Sequence, residues 1–434
     1  MNAECRMQNA ETRRRVNSAF CILHSAFLLA LSLACTTRTT QQDQLKFWGL
    51  GREGEVVASL MPEFTRRTGI HVDVQQIPWT AAHEKLLTAY VGESTPDIAQ
   101  MGNTWIPEFH AVGALENLGP WLQHSTIQQR NYFPGIWATN EVDGVVYGVP
   151  WYVDTRVMFY RSDLIPKPPR TWDEWVAAMQ RLKEQHPKSY AILLPTNQWE
   201  EVTIMALAEH APLLNATGTE GAFRDPRFAT AFRFFVDMFR RGFAPPVAST
   251  QVANVYQGFT EGDFAIYLTG PWNVGEFKRR LPANMQTKWA TAPMPAPVAS
   301  DWPGMSMAGG ASLVIFKSSQ RKDAAWKLIE FLSEPAQQVR FYELTGDLPA
   351  HRAAWSAPAL ASDPPIKSFG EQLEHVAPLP RVAEWEQIAT SIYEHGEATV
   401  RGQMTVDQAL ADLDRKADEV LAKRRWVLAR AANR

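Results

Sequence analysis

The run from residue 140 to residue 164 limits the folds open to this chain more than any other stretch. Asp143-Gly144 stands between two apolar runs, and this dipeptide is typical of the tight turn of a β-hairpin. Residues 157–160 are rich in β-branched and aromatic side chains, which predicts a buried strand. Aromatic rings, a carboxylate and a guanidinium cluster in front of that strand: Trp151, Tyr152, Asp154 and Arg156. Such a cluster suits a pocket for a polar ligand with apolar faces, such as a sugar.

Length and charge narrow the class of protein. The chain has 434 residues, of which 45% are hydrophobic and 21% are charged, so it is long enough for two globular domains. Its formal net charge is −3, and this becomes −5 without residues 1–34, which hold four Arg and two Glu. A mildly acidic protein has no electrostatic reason to bind nucleic acid or anionic lipid. We therefore predict no nucleic-acid partner.

The cysteines and histidines argue against metal chemistry. All 3 cysteines, Cys5, Cys21 and Cys35, stand near the start, so the rest of the chain can form neither a disulfide scaffold nor a cysteine-based metal site. The 10 histidines are scattered and no H-E-x-x-H motif appears, which makes a metallohydrolase a poor interpretation. We predict no metal site and no cofactor.

Residues 1–34 are typical of a secretory leader. Three arginines at 13–15 precede an apolar run at 20–33, which is too short and too interrupted for a membrane span. The run ends immediately before Cys35 in a sequence that resembles the cleavage site of bacterial lipoproteins. We predict a signal peptide, lipidation of Cys35 and a polar tether at 35–43. Ordinary cleavage before Cys35, without lipidation, is the alternative.

Hydrophobic periodicity predicts strands that alternate with helices. After a strand at residues 45–50, apolar residues recur every four positions from 56 to 64, as in an amphipathic helix. Residues 70–74 then alternate apolar with polar, as in a second strand. Such a strand–helix–strand unit points to a largely parallel sheet. Asn103-Thr-Trp105 lies just past the end of a third strand near residue 98, where open α/β sheets bind ligands.

The same alternation continues along the chain. Thr171 and Glu174 form a capping box that opens a helix, and the phenylalanines at 228, 232, 235 and 239 share one helix face. A strand at 264–268 ends in Thr269-Gly-Pro-Trp272. Residues 291–305 are proline-rich, which predicts a linker, and residues 406–427 have the pattern of a surface helix.

Over residues 45–421 the order of these features resembles the extracellular solute-binding proteins of ABC sugar importers, the group around maltose- and trehalose-binding proteins. Each segment that carries the resemblance is a weak signal alone, and their joint order is the argument. The segments are Thr95-Pro-Asp-Ile98, Asn103-Thr-Trp105, Asp143-Gly-Val-Val-Tyr-Gly-Val-Pro150, Thr171-Trp-Asp-Glu-Trp175, Gly262-Asp-Phe-Ala265, Gly270-Pro-Trp272, Gly309-Gly310, Ala324-Ala-Trp326, Phe331-Leu-Ser333 and Thr345-Gly-Asp-Leu-Pro349.

The resemblance implies a two-lobed α/β fold of the type II periplasmic-binding-protein kind. Each lobe would be a mostly parallel sheet flanked by helices, with the ligand in the cleft between the lobes. Carried over to this chain, the resemblance implies that lobe one comprises residues 44–153 and 306–346 and that lobe two comprises residues 157–292 and 352–434. The hinge crossings between the lobes would lie at 154–156, 293–305 and 347–351.

The resemblance also implies a function. A protein of this family is not an enzyme: it captures a sugar by closure of the lobes and delivers it to the permease subunits of an ABC transporter. We expect a monomer in the periplasm or on the outer face of the cytoplasmic membrane, held there by a lipid on Cys35. A ligand sensor of the same fold for a membrane receptor is an alternative.

Residue type and resemblance together select the ligand-binding candidates. Trp272 follows a strand end and is expected to stack on the apolar face of a sugar ring. Tyr152, Asp154 and Arg156 alternate, so they face one side of an extended chain, and a buried ion pair with Asp154 is the alternative role of Arg156. The other candidates are Trp48, Glu53, Asn103, Trp105, Gly309, Gly310 and Arg381, with Trp79 and Trp199 as further stacking or packing residues.

Some of these candidates have ordinary structural alternatives. Gly309 and Gly310 would let backbone N–H groups approach a ligand, or would simply form a turn before the next strand. Arg381 lies in a region that often reaches the cleft in relatives, although a surface salt bridge is the commoner role of such a residue. Ala311 stands where maltose- and trehalose-type relatives commonly have Trp, so the sequence does not identify the sugar.

Two rival functions follow from other patterns. Gly304-Met-Ser306-Met-Ala308 is one residue away from the nucleophile elbow of hydrolases, but a proline-rich segment precedes it and a predicted strand follows it, which is the wrong order. A secreted glycoside hydrolase needs two carboxylates at a defined separation, and sequence alone does not give that separation. A phosphorylated ligand would need several converging basic residues, which Arg156 and Arg381 alone do not supply.

Overall fold

The computed structural model describes residues 44–432. The predicted signal peptide, Cys35 and the tether lie outside these residues. Within them, none of the helices combines the length and the apolar character that crossing a bilayer requires.

Strands and helices alternate through most of the described chain. The strands are β1 (Leu45–Leu50), β2 (Val72–Ile77), β3 (Ile98–Gly102), β4 (Glu141–Val142), β5 (Val145–Val146), β6 (Gly148–Asp154), β7 (Val157–Arg161), β8 (Ile192–Leu193), β9 (Ile266–Thr269), β10 (Trp289–Ala292), β11 (Ser306–Met307), β12 (Gly309–Ile315), β13 (Leu348–Pro349) and β14 (Val376–Ala377). The helices are α1 (Gly51–Val57), α2 (Met61–Thr68), α3 (Trp79–Val91), α4 (Ile106–Ala111), α5 (Gly119–Leu122), α6 (Pro134–Ala138), α7 (Trp172–Gln185), α8 (Glu200–Ala208), α9 (Pro226–Arg240), α10 (Val255–Glu261), α11 (Trp272–Arg280), α12 (Lys322–Ser333), α13 (Pro335–Thr345), α14 (Pro358–Ala361), α15 (Pro364–Leu373), α16 (Trp385–Val400), α17 (Val406–Val420) and α18 (Ala422–Ala432). A 3₁₀ turn, Asn103–Trp105, follows β3 directly.

Two main sheets organise the molecule, and we name the lobes after them. The first lobe is built on six strands in the order β13-β6-β12-β3-β1-β2, and the second on four in the order β10-β7-β9-β8. Helices flank both sheets, so the predicted two-lobed α/β class is confirmed. The residue bounds assigned to the lobes and crossings stay a prediction.

The expectation that each sheet is mostly parallel is wrong. The predicted β1–helix–β2 unit is parallel, and β1 also pairs in parallel with β3. However, β12 is antiparallel to both β3 and β6, and β7 is antiparallel to both β9 and β10. The reason is the crossing path. Since β6 takes the chain out of the first lobe and β12 brings it back, the two strands run in opposite directions.

Local signals in the sequence correspond to helices whose faces are buried. The hydroxyl of Thr171 caps α7 by accepting a hydrogen bond from the backbone N–H of Glu174. The four phenylalanines of α9, at 228, 232, 235 and 239, are all buried and pack in the core of the second lobe. The helix predicted at 406–427 is interrupted at the buried Leu421, which separates α17 from α18.

Candidate ligand-binding site

A cavity of about 440 Å³ opens between the two sheets. Its walls come from both lobes, and most of them are strand ends. Glu53 follows β1, Asn103 and Trp105 follow β3, Asp154 ends β6, and Trp272 begins α11 shortly after β9. Loops beyond strand ends have free backbone groups and outward side chains, which is why open α/β sheets place ligands there.

Tryptophans form the apolar surfaces of the cavity. Trp272 keeps 45% of its surface exposed, although its sequence neighbours Pro271 and Asn273 are buried. A Cβ on Gly270 would stand 1.9 Å from the Trp272 ring, so the glycine of Gly270-Pro-Trp272 allows the ring to fold back over the strand end. Trp79 and Trp105 meet edge to face at 5.7 Å in the first lobe. The cavity therefore has an aromatic surface on each side.

Arg156 joins the aromatic and the acidic parts of the site. Its Nη1 donates to both carboxylate oxygens of Asp154 at 2.9 Å, and its Nη2 donates to Glu200 at 3.2 Å. Its guanidinium also lies 4.7 Å from the centre of the Trp272 ring. Burial raises the pKa of Asp154, although the charge of Arg156 opposes this shift. The ion pair proposed as the alternative role of Arg156 is thus present, and it forms part of the cavity wall.

Tyr152 and Asn103 contribute hydrogen-bonding groups from the first lobe. The hydroxyl of Tyr152 accepts a hydrogen bond from Nε2 of Gln100 at 2.9 Å, which leaves its own proton available to a second acceptor. Oδ1 of Asn103 accepts from the hydroxyl of Ser312 at 2.8 Å. Nδ2 of Asn103 is buried and has no hydrogen-bond partner among residues 44–432. A buried donor of this kind is costly unless a ligand or water accepts from it.

Glu53 and Asp347 are two further carboxyls that interact at the first-lobe side of the cavity. Burial raises the pKa of Glu53, while the indole N–H of Trp79 donates to its Oε2 at 3.3 Å and favours the charged form. Burial and the charge of Glu53 raise the pKa of Asp347 to about 7. Because both groups avoid charge, the pair holds a proton that the usual carboxyl pKa would not retain near neutrality.

The structure brings most of the predicted site residues to this one cavity. Those that line it are Glu53, Asn103, Trp105, Tyr152, Asp154, Arg156, Trp272, Gly309 and Gly310, together with Trp79 and Trp199. Their roles as ligand contacts remain proposals.

Two candidates lie elsewhere. Trp48 stands two residues before the end of β1, so its side chain packs on the face of the sheet, with Nζ of Lys85 5.0 Å from its ring centre. Arg381 lies outside the cavity, where Nη1 donates to the backbone carbonyls of Ala138 at 3.3 Å and Glu141 at 2.8 Å. Within residues 44–432, Arg381 therefore neither lines the cavity nor forms the surface salt bridge considered for it.

Gly309 and Gly310 differ in how strictly the structure requires a glycine. Gly310 has φ of 120°, and a Cβ there would stand 2.3 Å from the backbone oxygen of Tyr152. It is required because β12 approaches β6 too closely for a side chain. Gly309 has its nearest such contact at 3.1 Å, with the backbone oxygen of Asp154. Both residues belong to β12, so the turn considered for them is wrong.

Sequence reasoning missed Glu200 and Asp347. Glu200 begins α8 directly after Trp199, and Asp347 follows the left-handed Gly346 that ends α13. Asp347 did stand in one of the segments that carried the family resemblance, so a closer reading of that segment had a signal for it. Glu200 had none, because one acidic residue at a helix start is ordinary.

Comparisons with known proteins identify the family and the fold. The family model described as bacterial extracellular solute-binding protein matches residues 49–339. The solved structure of the sugar-binding protein MalE from Xanthomonas citri is 48% identical, has a TM-score of 0.86, and covers 89% of this chain and 99% of its own. A putative binding protein from Brucella abortus is 25% identical over 82% of this chain and 87% of its own length. The maltotriose-binding protein of Pyrococcus abyssi is 26% identical over 66% of this chain and 61% of its own length.

Proposed function

Because the chain belongs to the bacterial extracellular solute-binding proteins, we propose that it captures a sugar in the cavity between its lobes. The observation that carries the proposal is the pairing of Trp272 on the second lobe with acidic and amide groups on the first. A sugar ring has an apolar face of C–H groups and a rim of hydroxyls. An indole can cover the face while carboxylates and amides bond to the rim.

The charge of the cavity supports an uncharged sugar over a phosphorylated one. Among the described residues that line it, Arg156 faces four carboxyls, Glu53, Asp154, Glu200 and Asp347. Arg156 is already paired with two of them. A phosphate placed here would meet a net negative wall without a free basic partner, which opposes binding.

Closure of the lobes would couple occupancy to shape. Asn103, Glu53 and Asp347 adjoin strands of the six-stranded sheet, whereas Glu200 and Trp272 follow strands of the four-stranded sheet. A ligand that contacts both groups binds the closed arrangement better than the open one, so it shifts the population towards closure. A permease could then distinguish the loaded protein from the empty one.

We further propose delivery of this sugar to the permease subunits of an ABC transporter. The protein would act as a monomer in the periplasm or on the outer face of the cytoplasmic membrane, anchored through a lipid on Cys35. A sensor of the same fold would use the same cavity and differ only in its membrane partner. A neighbouring pair of permease genes would favour import, and a neighbouring receptor kinase would favour sensing.

Calorimetric titration of the chain from residue 36 onwards tests the ligand class. The panel contains mono- and disaccharides, a sugar phosphate and a short peptide. We expect saturable binding of one neutral sugar, with no reaction product after incubation. Turnover would instead support a glycoside hydrolase, and tighter binding of the sugar phosphate would contradict the charge argument.

A further inference from the structure

The last described helix, α18, exposes large apolar side chains beside basic ones. Trp426 is 58% exposed, Val427 48% and Leu428 42%. The helix begins right after Leu421, which is fully buried, so the chain passes from the core of the second lobe to solvent within one turn. An 11-residue helix is marginally stable in water on its own. A partner that buries these exposed apolar side chains would stabilise both the side chains and the helix.

The outward face of α18 combines two apolar and two basic residues. Lys423, Trp426, Val427 and Arg430 follow the spacing i, i+3, i+4 and i+7, which places them on one face. The guanidinium of Arg430 lies 4.3 Å from the ring centre of Trp426. Arg425 holds the helix to the body, since it donates to the backbone oxygens of Thr219 at 2.7 Å and Asp418 at 3.1 Å.

The charge of α18 is opposite to that of the whole chain. Its charged residues are all basic, namely Lys423, Arg424, Arg425 and Arg430, whereas the chain carries a formal net charge of −3. A partner surface for this helix therefore has to be negative and has to accept an indole. Two copies of α18 facing each other would oppose Lys423 and Arg430 of one copy to the same two residues of the other, which disfavours self-association through this face.

We propose that α18 is a contact site for the surface of a phospholipid membrane with anionic headgroups. Tryptophan prefers the boundary between headgroups and acyl chains, because its ring is apolar and its N–H is polar. Lys423 and Arg430 flank Trp426 on the same face and would meet the phosphates. The whole-chain charge predicts no such attraction, and only the local clustering on α18 provides it. The inference does not depend on the ligand of the cavity.

Co-sedimentation with vesicles tests this site on the unacylated chain from residue 36, which retains every described residue. Vesicles of phosphatidylcholine and phosphatidylglycerol at a 3:1 ratio are compared with pure phosphatidylcholine at low and high salt. We expect binding to the anionic vesicles that weakens as salt rises. The variant K423Q/R430Q should lower the partition coefficient about 25-fold, since each basic residue near an anionic surface contributes about fivefold. W426S/V427S should lower it as well.

Matched controls remove the same groups elsewhere. R66Q/K188Q deletes two exposed basic residues far from α18 in sequence, and V91S removes an exposed apolar one. Both should bind vesicles as the unmodified chain does. The proposal is overturned if anionic vesicles at low salt do not sediment the protein, or if R66Q/K188Q loses as much binding as K423Q/R430Q. A concentration-dependent dimer that W426S/V427S abolishes would also overturn it, because a second copy would then cover the face.

Discussion

Replacing Trp272 with alanine is the most direct test of the stacking surface in the cavity. The ring is 45% exposed, and tryptophan side chains present up to about 250 Å², so about 110 Å² is open to a ligand. If a sugar ring covers half of that area, at about 25 cal/mol per Å² the lost contact is about 1.4 kcal/mol, or about tenfold in Kd. Full coverage gives about 2.8 kcal/mol, or about a hundredfold. We therefore expect W272A to raise the Kd for sugar by about ten- to a hundredfold.

The folded state should tolerate this change. Trp272 is half exposed, and the contact that it loses in the free protein is the stack on Arg156, which is worth about 1 kcal/mol. Thermal unfolding monitored by circular dichroism should therefore show a shift in Tm of only a few degrees. W272F, which keeps a smaller ring, should bind with intermediate affinity.

Trp426 offers a matched control for the titration. It is also an exposed tryptophan, at 58%, but it lies on α18 outside the cavity. W426A should leave the Kd for sugar unchanged. A folded W272A protein with the Kd of the unmodified chain would refute the stacking argument, and an equal loss in W426A would show that the effect is not local.

Three further changes test the electrostatics and packing around the cavity. Because burial and Glu53 raise the pKa of Asp347 to about 7 from its ordinary value of 3.8, the folded state favours its protonated form and loses stability as pH rises from about 4 to 7. D347N should therefore raise Tm relative to the unmodified chain at pH 8 but not at pH 3, and equal Tm differences at both values would contradict this. Burial and Glu200 raise the pKa of Glu201 to about 8, so by the same linkage E201Q should raise Tm relative to the unmodified chain more at pH 7 than at pH 3, and equal Tm differences at both values would contradict this. G310A should destabilise the protein by several kcal/mol, because its Cβ would meet the Tyr152 carbonyl, whereas G346A, at a positive φ with open space around it, should cost only about 1 kcal/mol in chemical denaturation.

The parts of the site that the sequence predicted depend on local signals. Asn103 and Trp105 were expected beyond a strand end, and they form the 3₁₀ turn that follows β3. Trp272 follows Gly270-Pro271 after β9 and lines the cavity, as expected from its place. In each case the strand and its end are visible in a few consecutive residues. The direction of the side chain then follows from the strand geometry.

The parts that it missed depend on contacts between distant segments. Asp347 was missed because it meets Glu53, a predicted candidate about three hundred positions earlier in the chain, only through the packing of α13 against α1. Their raised pKa values follow from burial, which no short segment reveals. The prediction of mostly parallel sheets was wrong for a related reason. The direction of β12 is set by the return of the chain from the other lobe, not by the residues of β12. Trp48 does not line the cavity for a more local reason. It stands two residues before the end of its strand, where the side chain points to the face of the sheet and not beyond the strand end.

In the proposed function, the segment between β6 and β7 would link ligand capture to lobe motion. Only residues 155 and 156 separate the two strands, and Arg156 holds Asp154 of the first lobe while it contacts Glu200 and Trp272 of the second. The hydroxyl of the buried Thr155 donates to Ser306 at 3.0 Å, and the hydroxyl of Ser306 donates to the backbone oxygen of Arg156 at 3.1 Å. These bonds hold the segment between β6 and β7 beside β11, and under the proposed function this would favour rotation of the lobes about one shared hinge over sliding. A sugar that covers Trp272 and bonds to Asp154 would contact residues at this hinge directly. We therefore expect sugar binding to change the relative orientation of the lobes without structural changes in more distant parts of the fold.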